Sequence, residues 1–188
     1  APAQLADFAA QGVEVRRLDF DDAASLATGF AGVDRALIIS TVAHNRREQQ
    51  AAAVAAAKAA GVTYLAYTSA PHARPNADAG GIADHYWTEQ AIAASGLDFT
   101  LLRNHIYADM TIVGAASALS SGQLFDATNG SGRNYVTRAD TARTAAGALL
   151  SASGKDIVDV TGPAPVTQAE AAALYTKLTG KPVARIGL

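Results

Sequence analysis

The chain has 188 residues, 49% of them hydrophobic and 17% charged, with a formal net charge of -2 and no cysteine. This composition points to one compact globular body, and it excludes disulfides, thiolate metal sites and cysteine nucleophiles. Without a long basic run, an apolar stretch near the ~20 residues of a membrane span, or a signal-peptide pattern, the expectation is a cytoplasmic protein with no nucleic-acid or membrane partner.

In chain order, residues 3–10 read as a short helix stopped by Gly12, and the alternation Val13-Glu14-Val15-Arg16-Arg17-Leu18 reads as a strand. Acidic residues Asp21 and Asp22 precede a helix over 23–30, and Ala36-Leu37-Ile38-Ile39-Ser40 is a nearly all-apolar strand of the kind covered on both faces. An alanine-rich helix over 45–60 ends before Gly61, and residues 62–68 make the next strand. Residues 70–81 hold Pro71 and Pro75 among small and polar residues and read as a mobile loop. A helix over 82–95 closed by Gly96 and a strand over 99–103 complete four strands separated by helices, which specifies βαβ units.

Beyond Tyr107 the expected elements are a helix over 110–121, a brief extended piece over 122–125, a helix over 137–151, a strand over 157–160 and a helix over 167–179. Thr167 and Glu170 have the spacing of a capping box at the start of the last helix. The four histidines, His44, His72, His85 and His105, lack a metal-ligand spacing, so no metal is expected.

Open α/β sheets bind ligands at the carboxyl ends of their strands, and here those ends read Asp19-Phe20, Ile39-Ser40, Thr68-Ser69 and Arg103-Asn104. With Leu18-Asp19-Phe20-Asp21-Asp22, Tyr67-Thr68-Ser69 and Ser95-Gly96-Leu97-Asp98-Phe99-Thr100-Leu101-Leu102-Arg103-Asn104, the chain resembles the NmrA-like atypical short-chain dehydrogenases, in particular their quinone reductase and triphenylmethane reductase branch. The resemblance implies a Rossmann-like α/β fold, a doubly wound parallel sheet with a smaller substrate-side lobe over 108–188 within one domain. It also implies NADPH or NADH as cofactor, a small-molecule electron acceptor, and an assembly compatible with a homodimer. No Gly-x-x-Gly-type phosphate turn lies before Gly12, so roughly thirty residues, one βαβ start, are expected ahead of Ala1, with more chain after Leu188.

The resemblance puts Asp19 and Phe20 beside the adenine ring, although a helix cap and a buried aromatic would also account for them. Ile39 and Ser40 would offer backbone to the cofactor, or simply end a strand. Thr68 and Ser69 would touch cofactor or substrate, or make a turn. Asn104-His105-Ile106-Tyr107 matches the family's Asn-x-x-Tyr segment beside the nicotinamide, with a polar loop and a packed tyrosine as the alternative. Tyr86 has Gln90, not lysine, four residues on, so the Tyr-Lys pair of ordinary short-chain dehydrogenases is missing. His85 and Glu89 share a helix face as a polarised pair near the acceptor or as an exposed hydrogen-bonded pair. Arg133, in a glycine-containing loop, is a phosphate candidate, whereas Arg138 beside Asp140 reads as structural.

The expected function is hydride transfer from NAD(P)H to a quinone or similar conjugated electrophile, with Asn104, Tyr107 and His85 orienting the acceptor. The alternative is a non-catalytic dinucleotide sensor that acts through a protein partner.

Overall fold

The computed structural model describes residues 2–77 and 81–188. A 3-10 turn over Pro2–Leu5 leads into α1 (Ala6–Ala10), and α2 (Ala23–Gly29) follows. Then β1 (Arg35–Ile38), α3 (Arg46–Ala59), β2 (Tyr64–Ser69), α4 (Ile82–Ser95) and β3 (Asp98–Asn104) alternate. After the two-residue strand β4 (Ile106–Tyr107) come α5 (Met110–Ser121), β5 (Gln123–Asp126), β6 (Arg133–Val136), α6 (Arg138–Ser151) and β7 (Lys155–Val160). The chain continues through β8 (Pro165–Val166), α7 (Gln168–Thr179) and β9 (Ala184–Gly187). The largest sheet has the order β1-β2-β3-β7, and β1 pairs with β2 in parallel, Arg35 opposite Tyr64 and Ile38 opposite Tyr67. This is the α/β architecture that apolar strands alternating with helices require.

The chain falls into two compact units. The first carries α1 to α4, β1 and the start of β2 and β3. Its strand residues Leu65, Ala66 and Tyr67 are fully buried. α3 buries Arg46, Gln49, Gln50, Ala53, Val54 and Ala57, a stripe at i, i+3, i+4 and i+7, and its small alanines let it lie close to its neighbours. α4, packed against α3, buries His85, Thr88, Glu89 and Ile92 at the same spacing. One face of each helix is thus both buried and polar. Gly96 closes α4 in the left-handed conformation at φ 82°, where a Cβ would be strained.

Residues 13–18 correct the sequence reading, because they form no strand. Their apolar and charged residues alternate as in a half-buried strand, but a strand exists only where a neighbour completes its ladder, and none does among the described residues. Val13 stays 53% exposed, and Arg16 donates to the carbonyls of Gly29 at 3.1 Å and Ala31 at 2.5 Å. The fourth place in the sheet goes to β7. Of the loop over 70–81 expected to be mobile, residues 78–80 lie outside the described residues.

The second unit carries the rest. β4 and β6 run parallel, β6 and β8 antiparallel, and β5 pairs in parallel with β9. The closeness of β6 and β8 depends on Gly132, whose Cβ would lie 2.8 Å from that of Pro165. The capping box predicted at α7 is present: Thr167 Oγ1 accepts from the Glu170 amide and the Glu170 carboxylate accepts from the Thr167 amide. Asp126, fully buried, accepts from the Thr128 amide at 2.8 Å, the Thr128 hydroxyl at 2.6 Å and Arg185 Nε at 2.7 Å.

The two Thr128 bonds, then Arg185, hold the Asp126 carboxyl well below the ordinary carboxylate range. A depressed carboxylate stabilises the fold above its unfolded value, and that contribution fades as the pH falls below about 4. Asp126→Asn is therefore expected to lower the melting temperature at neutral pH, with the gap to the parent narrowing in acid. Thermal melts across that range check it, and a gap that stays constant removes the carboxylate from the account.

Candidate functional site

A cleft of about 940 Å³ opens in the first unit, lined by Leu5, Ala9, residues 15–21, Thr41, Ala43 and Gln49. Its wall is a turn that the sequence builds from acidic side chains. Asp22 caps α2 by accepting from the Ala24 and Ser25 amides, and the Asp19 amide donates to Ser25 Oγ at 2.9 Å. Asp19 Oδ1 accepts from the Asp21 amide at 3.0 Å. Asp21 then accepts from Asn45 Nδ2 at 3.0 Å and Gln49 Nε2 at 2.9 Å, which ties the turn to α3 and lowers its own pKa, Gln49 contributing most. The helix cap given as the alternative role for Asp19 belongs instead to Asp22.

Two cations line the cleft. Arg16 is engaged, its fork matched to Glu14 at 2.7 and 2.8 Å. Arg17 is largely exposed, with Asp22 at 3.1 Å and Asp19 at 3.8 Å. Ile39 and Ser40 lie just past β1, Ile39 exposed and Ser40 half-buried, and it is Thr41 and Ala43, two and four residues beyond Ile39, that reach the cleft. Thr68 and Ser69 end β2, half-buried and buried respectively.

His85 is buried, which the sequence did not indicate. Its Nε2 lies 2.6 Å from Arg46 Nη2 and its Nδ1 2.9 Å from the Tyr67 hydroxyl. A guanidinium only donates, so Nε2 must be the acceptor and Nδ1 carries the proton, which it donates to Tyr67. Burial, with Arg46 adding repulsion, lowers the imidazole pKa to about 4 and keeps the ring neutral. Tyr67 is pushed up by its own burial. Thr88, in turn, donates to the Asp84 carbonyl at 2.9 Å. Both His85 nitrogens are engaged within this network.

In the second unit Asn104 ends β3, buried, and its Nδ2 donates to the Tyr107 hydroxyl at 3.4 Å. Its Oδ1 is buried with no partner. The Tyr107 ring is covered by the Arg138 guanidinium, 4.4 Å from the centroid, and Arg138 donates to Asp109 at 2.8 Å. The intervening residues are held differently: the His105 amide donates to the Val160 carbonyl at 2.9 Å, and its ring lies 3.5 Å from Asp159. Ile106 pairs with Tyr135 and Tyr107 with Val136, so Ile106 and Tyr107 face opposite sides of the ladder. Arg133 stands exposed in β6, a strand where the sequence reading had a loop.

Residues 1–152 match a protein-family model described as NAD(P)H-binding. Quinone oxidoreductase 2 of Escherichia coli is 38% identical over 97% of this chain and 64% of its own length. An NAD(P)H azoreductase of Xenophilus azovorans is 22% identical, over 99% of this chain and 65% of its own length. The chain thus spans less than two thirds of these curated relatives. Among solved structures, the NADPH-dependent quinone oxidoreductase of Escherichia coli in complex with NADPH superposes with a TM-score of 0.91 at 36% identity, covering 100% of this chain and 67% of that one. The Citrobacter sp. triphenylmethane reductase complexed with NADP(H) follows with 0.86 at 30% identity and the same coverage.

Proposed function

This chain belongs to the NAD(P)H-binding family, and on that premise we propose that it serves the NADPH-dependent reduction of a quinone or a similarly conjugated small-molecule acceptor in the cytoplasm. The observation that carries the reading is the pairing of Asn104 with Tyr107. A buried amide oxygen without a partner costs about 1–3 kcal/mol, and such a group is tolerated where a ligand donor completes it. The carboxamide of a nicotinamide has a donor of that kind.

The bound reduced nicotinamide supplies the hydride. Tyr107 accepts from Asn104, which leaves its own O–H free to donate to an acceptor oxygen as negative charge develops there. The proton that completes a hydroquinone comes from solvent, so the missing Tyr-Lys pair is no obstacle. Asp19 and Phe20 are assigned to the adenine end: a carboxylate for an exocyclic amine and an aromatic face for the ring. The strand-end residues Ile39, Ser40, Thr68 and Ser69, with His105 and the backbone of Ile106, are assigned to the cofactor's surroundings. We assign His85 to positioning Tyr67. The cleft volume falls within the range of about 300–1,000 Å³ usual for small-molecule sites.

NADPH oxidation with a panel of quinones tests the proposal. Turnover supports it, and tight NADPH binding without turnover on any acceptor favours a dinucleotide sensor instead. Asp19→Ala is expected to raise the Kd for NADPH about tenfold while kcat at saturating NADPH stays near the parent value. An unchanged Kd takes Asp19 out of the cofactor site.

A further inference from the structure

A second, smaller cavity of about 150 Å³ lies within the second unit. Ile106, Met110 and Leu124 give it apolar walls, and Arg133, Tyr135 and Gln168 give it polar ones. Among the described residues the side chains of these three make no hydrogen bond and no ion pair. A guanidinium, a phenol and a carboxamide therefore converge on one space with their donors unengaged, whereas Tyr175, on the same wall, is already committed to the Thr111 carbonyl at 3.0 Å.

Backbone geometry explains the convergence. Arg133 and Tyr135 are two apart in β6 and so share a face, and Tyr135 is paired with Ile106 across the parallel ladder. Gly132 lets β8 approach closely, and Gly162, whose amide donates to the Tyr135 carbonyl at 2.7 Å, leaves that carbonyl no room for a Cβ. The cavity is thus on the opposite face of the ladder from Tyr107 and is separate from the Asn104–Tyr107 pair.

We propose that this cavity binds a small carboxylate built on a single ring. The planar fork of Arg133 suits a carboxylate in bidentate geometry, and Tyr135 and Gln168 add hydrogen bonds to the same oxygens. The ring lies against Ile106, Met110 and Leu124. The volume is about half the lower limit of the ~300–1,000 Å³ typical of sites for drug-sized ligands, which leaves room for one ring and not for a dinucleotide.

Benzoate is the probe, titrated into the full chain and followed by methyl NMR at Ile106, Met110 and Leu124. Saturable shifts at these three are expected. Arg133→Gln, an exposed position where the melting temperature should not move, is expected to weaken benzoate binding about tenfold or more, and benzamide should bind the parent equally poorly. Benzamide binding as well as benzoate, an indifferent Arg133→Gln variant, or shifts confined to other residues would each overturn the proposal. So would inorganic phosphate competing on equal terms, because the site would then recognise an anion without regard to the ring.

Discussion

Asn104→Ala is expected to lower kcat/KM for quinone reduction about ten- to a hundredfold, more than it weakens NADPH binding. An orienting hydrogen bond made at the transition state is worth about 1–3 kcal/mol, and each 1.4 kcal/mol is roughly tenfold in rate. Tyr107→Phe removes only the hydroxyl and leaves the ring beneath Arg138, so it isolates the donated bond from packing. The same range of loss is expected. Because Asn104 donates to Tyr107, the double variant should lose less than the sum of the two single effects. Steady-state kinetics beside NADPH titrations decide the matter. Quinone kinetics within about twofold of the parent for both variants would remove the pair from the acceptor site.

The second large effect is on stability. His85 titrates near 6.5 when unfolded and is lowered to about 4 in the fold. Between those values the unfolded chain binds a proton that the folded chain refuses, so the contribution of neutral His85 is complete above about pH 6.5 and is lost progressively down to about pH 4. The full shift corresponds to about 3 kcal/mol. Urea unfolding at several pH values should show a stability slope that His85→Gln flattens, since a carboxamide can still accept from Arg46 but does not titrate. Parallel slopes for parent and variant would mean that His85 is not the titrating group.

What could be read ahead of the structure was what is local in the chain. Gly96 ends α4, and Thr167 with Glu170 starts α7, because caps are set by neighbours three or four residues away. β4, β6, β8 and β9 escaped notice, being two to four residues long, too short for any periodicity to register. Residues 13–18 failed in the opposite direction: their alternation is clear, but pairing depends on a neighbour that no local pattern can report. Around the candidate site the same division holds. Asp19 and Phe20 follow an alternating run and were visible as candidates, whereas Gln49 and Asp21 meet across 28 residues and were not. The buried character of His85 depends on Arg46, 39 residues away, so a helix face that reads as solvated became part of the interior.

The long reach of these contacts also governs how the chain must assemble. Gly154 meets Asp98 across 56 residues, Arg185 meets Asp126 across 59, and Tyr175 meets Thr111 across 64. Folding rates fall as contacting residues lie farther apart in sequence, because the entropy of closing each loop is lost before the contact can repay it. α3 and α4 can form early from local interactions, yet β3 has no β7 beside it until more than fifty further residues have been synthesised. During that interval one edge of β3 stays open to pairing with other chains, and a nascent chain of this fold has most to gain from a chaperone at that stage.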